Sequence, residues 1–163
     1  MKKHIIIAVD LSEANAGIIK EAFAFAQQMQ AKVSLVSIIS MYVDYLHSDM
    51  SLMPTQWEEI YDAQKKHAEK ELAKIKEANS GVEIQIHTAI GNPKFDIIAY
   101  AEESKADYIV MGTHGRTGIS HLMLGSTAEY VVRHSPIPVL IVPQKNKLSL
   151  PLFKFKKKSR SHF

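Results

Sequence analysis

The chain contains no cysteine, which excludes a disulfide framework, a thiolate metal centre and a cysteine nucleophile. Nowhere do about eighteen apolar residues follow one another, the length a membrane-spanning helix requires. The apolar run Ile5-Ile6-Ile7-Ala8-Val9 after Lys2-Lys3 is cut short by Asp10, too early for the apolar region of a signal peptide, and reads as a buried strand. The expected location is the cytoplasm. Neither G-x-x-x-x-G-K-[ST] nor G-x-G-x-x-G occurs, so the two commonest phosphate loops are missing. The eight histidines show no H-E-x-x-H or comparable ligand spacing. Acidic residues are absent from the segment 144–163, which holds seven Lys or Arg; residues 1–143 therefore carry thirteen basic against seventeen acidic side chains, a formal charge of −4. The net +3 is a property of the tail, and a nucleic-acid partner is not expected, because the body has no surplus of basic residues.

What is present is apolar patterning sufficient for one core: 46% of 163 residues are hydrophobic, within the size range of a single domain. Five β-branched runs, at 4–10, 33–39, 82–88, 107–112 and 138–142, read as strands. The first, second and last are apolar at nearly every residue, as strands covered on both faces are. The run Val82-Glu83-Ile84-Gln85-Ile86-His87 alternates and belongs at or near an edge. Between the runs, Ile18, Ile19, Ala22, Phe23, Ala26 and Met29 form one helical stripe, and Trp57, Ile60, Tyr61, Ala68, Leu72 and Ile75 another. Asp62 with Lys66 and Lys65 with Glu69 are spaced for ion pairs on the second helix. Asn92-Pro93 opens a third helix, and a fourth runs from near Ser126 to the prolines 136 and 138. Strand and helix alternate throughout, so a parallel, doubly wound sheet is expected, with ligands beyond the carboxyl ends of its strands.

The stretch Met111-Gly112-Thr113-His114-Gly115-Arg116, followed by Gly125-Ser126-Thr127, begins where a strand ends and finishes where a helix starts. Glycines there let backbone amides approach and face an anion. A helix that opens at Ser126 adds unpaired amides and a favourable dipole. Ser126 and Glu129 also fit a capping box, which requires no ligand. Asp10, at the end of the first strand, is placed to cap the first helix, to meet a ribose, or to hold a metal on phosphates. His114, between two glycines, has no acidic neighbour to make it a catalytic base.

The spacing of Gly112, Gly115 and, after nine residues, Gly125-Ser126 resembles the G-2x-G-9x-G-[S/T] signature of ATP-binding universal stress proteins. The opening Ile6-Ile7-Ala8-Val9-Asp10, the Gly91-Asn92-Pro93 turn and the closing Pro136-Ile137-Pro138-Val139-Leu140-Ile141-Val142 are similar to that family's landmarks, over residues 1 to about 143. The resemblance implies a Rossmann-like sheet of five parallel strands in the order 3-2-1-4-5, with helices on both faces. It implies a cytoplasmic, stress-responsive homodimer paired through the last strand. It also implies that Ala8, Asp10 and Ile38 meet the adenosine, and that Met111 and Gly112 flank it. Gly115, Gly125, Ser126 and Thr127 would then hold the phosphates of ATP, ADP or AMP with Mg2+, with Thr113 and Arg116 nearby. Ala8 and Ser37 depart from the proline and histidine that family members often carry, and this affects contacts to the base.

Two functions follow. One is a regulatory sensor that binds ATP and is read by another protein; the other is a slow ATP hydrolase or adenylyl-transferring enzyme at the same site. A nucleotide-free interaction module is a third class, whose members typically lack the glycine signature. No candidate base is evident, so binding without efficient turnover is favoured. The tail 144–163 mixes Leu148, Leu150, Leu152, Phe153 and Phe155 with lysines, a pattern suited to an anionic membrane surface. The reading preferred for it is a disordered, solvated extension.

Overall fold

The computed structural model describes residues 2–11, 15–41, 54–113 and 124–143. Among them, strands β1 (His4–Ala8), β2 (Lys32–Ser40), β3 (Ile84–Gly91), β4 (Tyr108–Gly112) and β5 (Val139–Val142) alternate with four helices. These are α1 (Asn15–Gln28), α2 (Pro54–Ala78), α3 (Pro93–Glu103) and α4 (Ser126–His134). The strands form one sheet in the order β3-β2-β1-β4-β5, and every neighbouring pair is parallel. The parallel, doubly wound sheet is the one expected from the alternation of runs, and the strand order is the one the resemblance implied.

Because side chains alternate across a strand, each strand feeds two cores. Ile5, Ile7, Val33, Leu35 and Val110 pack with Ile18, Ala22 and Phe23 of α1 and Leu72 of α2. Ile6, Val36, Ile109 and Met111 pack with Ile97 and Ala101 of α3 and with Ala128 and Val131 of α4. Helices α1 and α2 therefore cover one face, and α3 and α4 the other. Ile5, Ile6 and Ile7 are all 0% exposed, which explains why β1 has no polar alternation. Each such side chain contributes roughly 1.5–3 kcal/mol by leaving water.

The edges depart in detail from the reading of the sequence. β3 is an edge strand, as its alternation indicated, but it begins at Ile84, because Val82 N–H first donates to Asn79 O in a turn after α2. It continues to Gly91 because β2 runs to Ser40 beside it. β5 is the other edge and leaves Leu140 37% exposed, so its unbroken apolar pattern does not reflect cover on both faces. The two ion pairs expected on α2 do not close. Glu69 instead accepts a hydrogen bond from Thr88 Oγ1 at 3.0 Å, and Lys74 pairs with Glu71.

Candidate functional site

β1 sits at the point where the chain's progress across the sheet reverses: β2 and β3 were added on one side of it, β4 and β5 on the other. Crevices open at the carboxyl ends of strands at such a point. Here a cleft of about 790 Å3 lies between the ends of β1, β2 and β4 and the first turns of α3 and α4. Ala8, Asp10, Ile38, Met111, Gly112, Thr113, Gly125, Ser126 and Thr127, nine of the residues expected at the site, line it. Gly115 and Arg116 lie outside the described residues, as do Ser12, His114 and the tail.

Ala8, Ile38 and Met111 all pack on the sheet face covered by α3 and α4, and form an apolar wall. The main chain of β2 supplies the polar complement. Val9 N–H donates to Val36 O at 2.8 Å, whereas Val33 N–H donates to Glu83 O, ahead of β3. Even-numbered residues of β2 thus present their backbone groups toward β1. β1 pairs no further than Ala8 with Val36, so the N–H and C=O of Ile38 face the cleft beyond its end. They form a donor and an acceptor side by side on an apolar surface. Leu11, at φ 60, turns the chain away after Asp10.

The two ends of the glycine-rich stretch are brought together. Gly125 N–H donates to Thr113 O at 2.7 Å, and Thr113 N–H to Val142 O at 3.3 Å. This fastens the entry to α4 against the end of β4. Gly125 is the N-cap residue of α4 and provides no side-chain cap. The capping box expected from Ser126 and Glu129 does not form, because Ser126 is already helical and the Glu129 carboxylate pairs with Arg133 at 3.1 Å. The first-turn amides of α4 are left facing the cleft, where they attract an anion.

α3 behaves oppositely. Its N-cap Asn92 accepts from Lys94 N–H at 3.1 Å through its side chain, and Asp96 accepts from Asn92 N–H at 2.8 Å. A Cβ on Gly91 would collide with the Asp96 carboxylate, so glycine there is what allows this closure. Two helices start at the cleft, one sealed by its own side chains and one open.

Sequence reasoning missed several lining residues: Gln64 and His67 from α2, and Asn92 and Lys94 from α3. The position of Asn92 was within reach, since a helix opening after β3 must begin at the carboxyl side of the sheet. Those of Gln64 and His67 depend on how α2 packs. The displaced pKa values lie elsewhere. The Lys3 ammonium and the His4 backbone N–H hold the Asp107 carboxyl below its ordinary range, and burial holds His4 below its own, at the amino ends of β1 and β4. Among the described residues no group of three or more His, Asp or Glu is arranged to hold a metal ion, and no helix is long and apolar enough to cross a membrane.

A parallel, doubly wound α/β domain with an anion-receptive helix start at its switch point is the class that this geometry defines. The family model for universal stress proteins matches residues 1–143, and the chain belongs to that family. It is 33% identical over 149 residues to a universal stress protein of Methanocaldococcus jannaschii, covering 89% of this chain and 84% of the relative. Among solved structures, that of hypothetical protein MJ0577 superposes with a TM-score of 0.77 at 28% identity, covering 90% of this chain and 99% of the other. A universal stress protein in complex with cAMP (24% identity, TM-score 0.59, 88% and 98% covered) shares the fold. So does one from Archaeoglobus fulgidus in complex with dAMP (22%, 0.55, 85% and 96%).

Proposed function

We propose that the cleft binds an adenine nucleotide, ATP with AMP or ADP as competing occupants, and that the protein acts as a regulatory sensor of it. The observation that carries this reading is the open start of α4, whose first-turn amides face a cleft beside Gly112 and Thr113 while the neighbouring start of α3 is sealed. An anion is drawn to the first and not to the second. The wall of Ala8, Ile38 and Met111 would take the base, with the Ile38 N–H and C=O matching a purine edge that offers one acceptor and one donor. Asp10 would reach the ribose hydroxyls. Gly125, Ser126 and Thr127 would hold phosphate, with Thr113 alongside and Gly115 and Arg116 from the stretch between. Magnesium would arrive with the nucleotide, and Asp10 is the carboxylate lining the described cleft. The cAMP and dAMP carried by two relatives of this fold are ligands of the same chemical class.

We favour binding without efficient hydrolysis over an ATPase or adenylyl transferase, since among the described residues lining the cleft the one imidazole is that of His67. This imidazole reaches the cleft from α2, across the sheet from α4, so it and the phosphate-receptive amides stand on different sides. A hydrolase needs a water-orienting group beside the terminal phosphate. The exposed apolar edge of β5 supports pairing with β5 of a second copy, leaving residues 144–163 as an extension outside the domain of residues 1–143.

Gly125→Asp tests the phosphate site without confusing binding with folding. An aspartate at an N-cap stabilises a helix by roughly a few tenths of a kcal/mol relative to glycine, and it both satisfies the amides and repels phosphate. Titration calorimetry with Mg-ATP is expected to show binding to the parent chain and a loss of at least about tenfold in the variant. The variant's melting temperature should be equal or higher. Unchanged affinity in the variant would remove α4 from the site, and rapid turnover on the same samples would replace the sensor with an enzyme.

A further inference from the structure

Lys94 occupies the first turn of α3, immediately after Pro93, where its positive charge opposes the helix dipole. It lines the cleft and is half-buried. Among the described residues no carboxylate lies within ion-pairing distance of its ammonium. Its backbone N–H is committed to the Asn92 side chain, so the residue has a fixed root and an uncommitted charged head. A lysine that faces a dipole of the wrong sign, loses part of its hydration and receives no counter-ion is unfavourable unless a ligand provides one.

The direction in which it faces follows from the helix. Ile97, three residues on, is buried against the sheet, and residues three apart share a helix face. Phe95, next to Lys94, meets Tyr130 of α4 edge-on at 5.1 Å, so this turn of α3 lies beside α4. Tyr100 and Asp96, on the other flank of α3, face β3 and the Gly91 turn instead. Lys94 thus sits on the inner, α4-side flank of the first turn of α3 and lines the same cleft as Ser126 and Thr127.

We infer that Lys94 is a binding residue for the outer phosphates of a nucleoside di- or triphosphate, and that it makes the cleft prefer these ligands to the monophosphate. This rests on the proposed nucleotide site and adds to it the number of phosphates the site counts. The amides of α4 are fixed and reach one phosphate. The flexible four-carbon stem of Lys94 carries a point charge to the next, where a charge-assisted hydrogen bond forms.

Calorimetry with adenosine, AMP, ADP and ATP on the parent chain, Lys94→Gln and Lys94→Arg tests it. In Lys94→Gln the affinity for ATP and ADP is expected to fall about tenfold while that for adenosine stays unchanged, and Lys94→Arg should restore most of the loss. Raising the salt concentration should weaken ATP binding to the parent chain more than to Lys94→Gln, because screening acts on the charge removed. An equal loss for adenosine and ATP would make Lys94 a support of the nucleoside pocket and overturn the inference. Unchanged affinities in Lys94→Gln would do the same, with the nucleotide site intact. A parent chain that binds none of the four ligands would remove the site itself, and the role of Lys94 with it.

Discussion

Single residues carry costs that the fold tolerates for the sake of its turns. Gln30 and Lys105 adopt positive φ, at 50° and 53°, a region that L-residues enter at a cost of about 1–2 kcal/mol. Both follow helices in the same arrangement. Ala31 N–H donates to Ala26 O and Gln30 N–H to Gln27 O after α1; Ala106 N–H donates to Ala101 O and Lys105 N–H to Glu102 O after α3. These are the paired bonds of a Schellman ending, whose left-handed position is usually glycine. Lys105→Gly and Gln30→Gly should therefore each raise stability by about 0.5–1 kcal/mol, the relief of the left-handed strain exceeding the added freedom of the unfolded chain. The midpoint of urea unfolding measures this, and a lowered midpoint would mean that the side chains make contacts worth more than the strain. The same residues show why helix ends were hard to read. With glycine replaced by Gln and Lys, no residue type marked where α1 and α3 stop.

At the scale of elements, legibility followed how much of the signal was local. Asn92-Pro93 names the start of α3 from two adjacent residues, and the structure finds the Asn92 cap in place. Ser126 and Glu129 were equally suggestive as a capping box, yet Gly125 takes the cap position and Arg133 takes the glutamate. A pattern four residues long cannot register that a competing partner lies one turn further along the helix. Alternation of strand and helix gave a parallel, doubly wound sheet, but the strand order and the grouping of Ala8, Ile38 and Met111 came from the resemblance to universal stress proteins, and the arrival of Gln64 and His67 depends on tertiary packing of α2. β5 shows the same limit. Its apolar run reads as an interior strand, but it is an edge with Leu140 exposed. An uncovered apolar edge invites pairing with another strand, and a two-fold axis beside β5 would bury it against its own copy. Leu140→Lys places a charge on that edge, and its dimer dissociation constant should rise about tenfold or more. Light scattering on dilution would follow the shift toward the 18.3 kDa monomer. An unchanged dimer would place the interface elsewhere.

At the scale of the whole molecule, the candidate cleft and the structural polar network occupy opposite ends of the sheet, and they should respond to different variables. His4, 4% exposed at the start of β1, places Nε2 2.8 Å from Ser34 Oγ and Nδ1 3.2 Å from Ser104 O. The carbonyl can only accept, so Nδ1 carries a proton. In the neutral ring Nε2 then accepts from the Ser34 hydroxyl, and burial favours that form. Burial lowers its pKa from the ordinary 6.5, and Lys32 nearby acts in the same direction, partly offset by the Ser104 carbonyl and by Asp107 and Glu83. His87, stacked on Tyr100 at 3.9 Å, is lowered as well, by burial and Lys65 against Glu103. A depressed folded pKa means that the unfolded chain binds more protons as pH falls below 6.5, so unfolding gains free energy in that direction. The stabilisation is complete above about pH 6.5 and is lost as pH drops through the lower, folded pKa values. Asp107, whose folded pKa is also lowered, adds a separate loss near and below pH 3.8. Urea midpoints should fall between pH 7.5 and 5, with a slope from His4 no steeper than about 1.4 kcal/mol per pH unit. In His4→Gln, which carries no titrating ring at that position, the curve over that range should flatten to the contribution of His87. A parent curve already flat from pH 7.5 to 5 would show that His4 and His87 take up protons as readily in the folded chain as in the unfolded one, and would overturn the neutral, accepting Nε2.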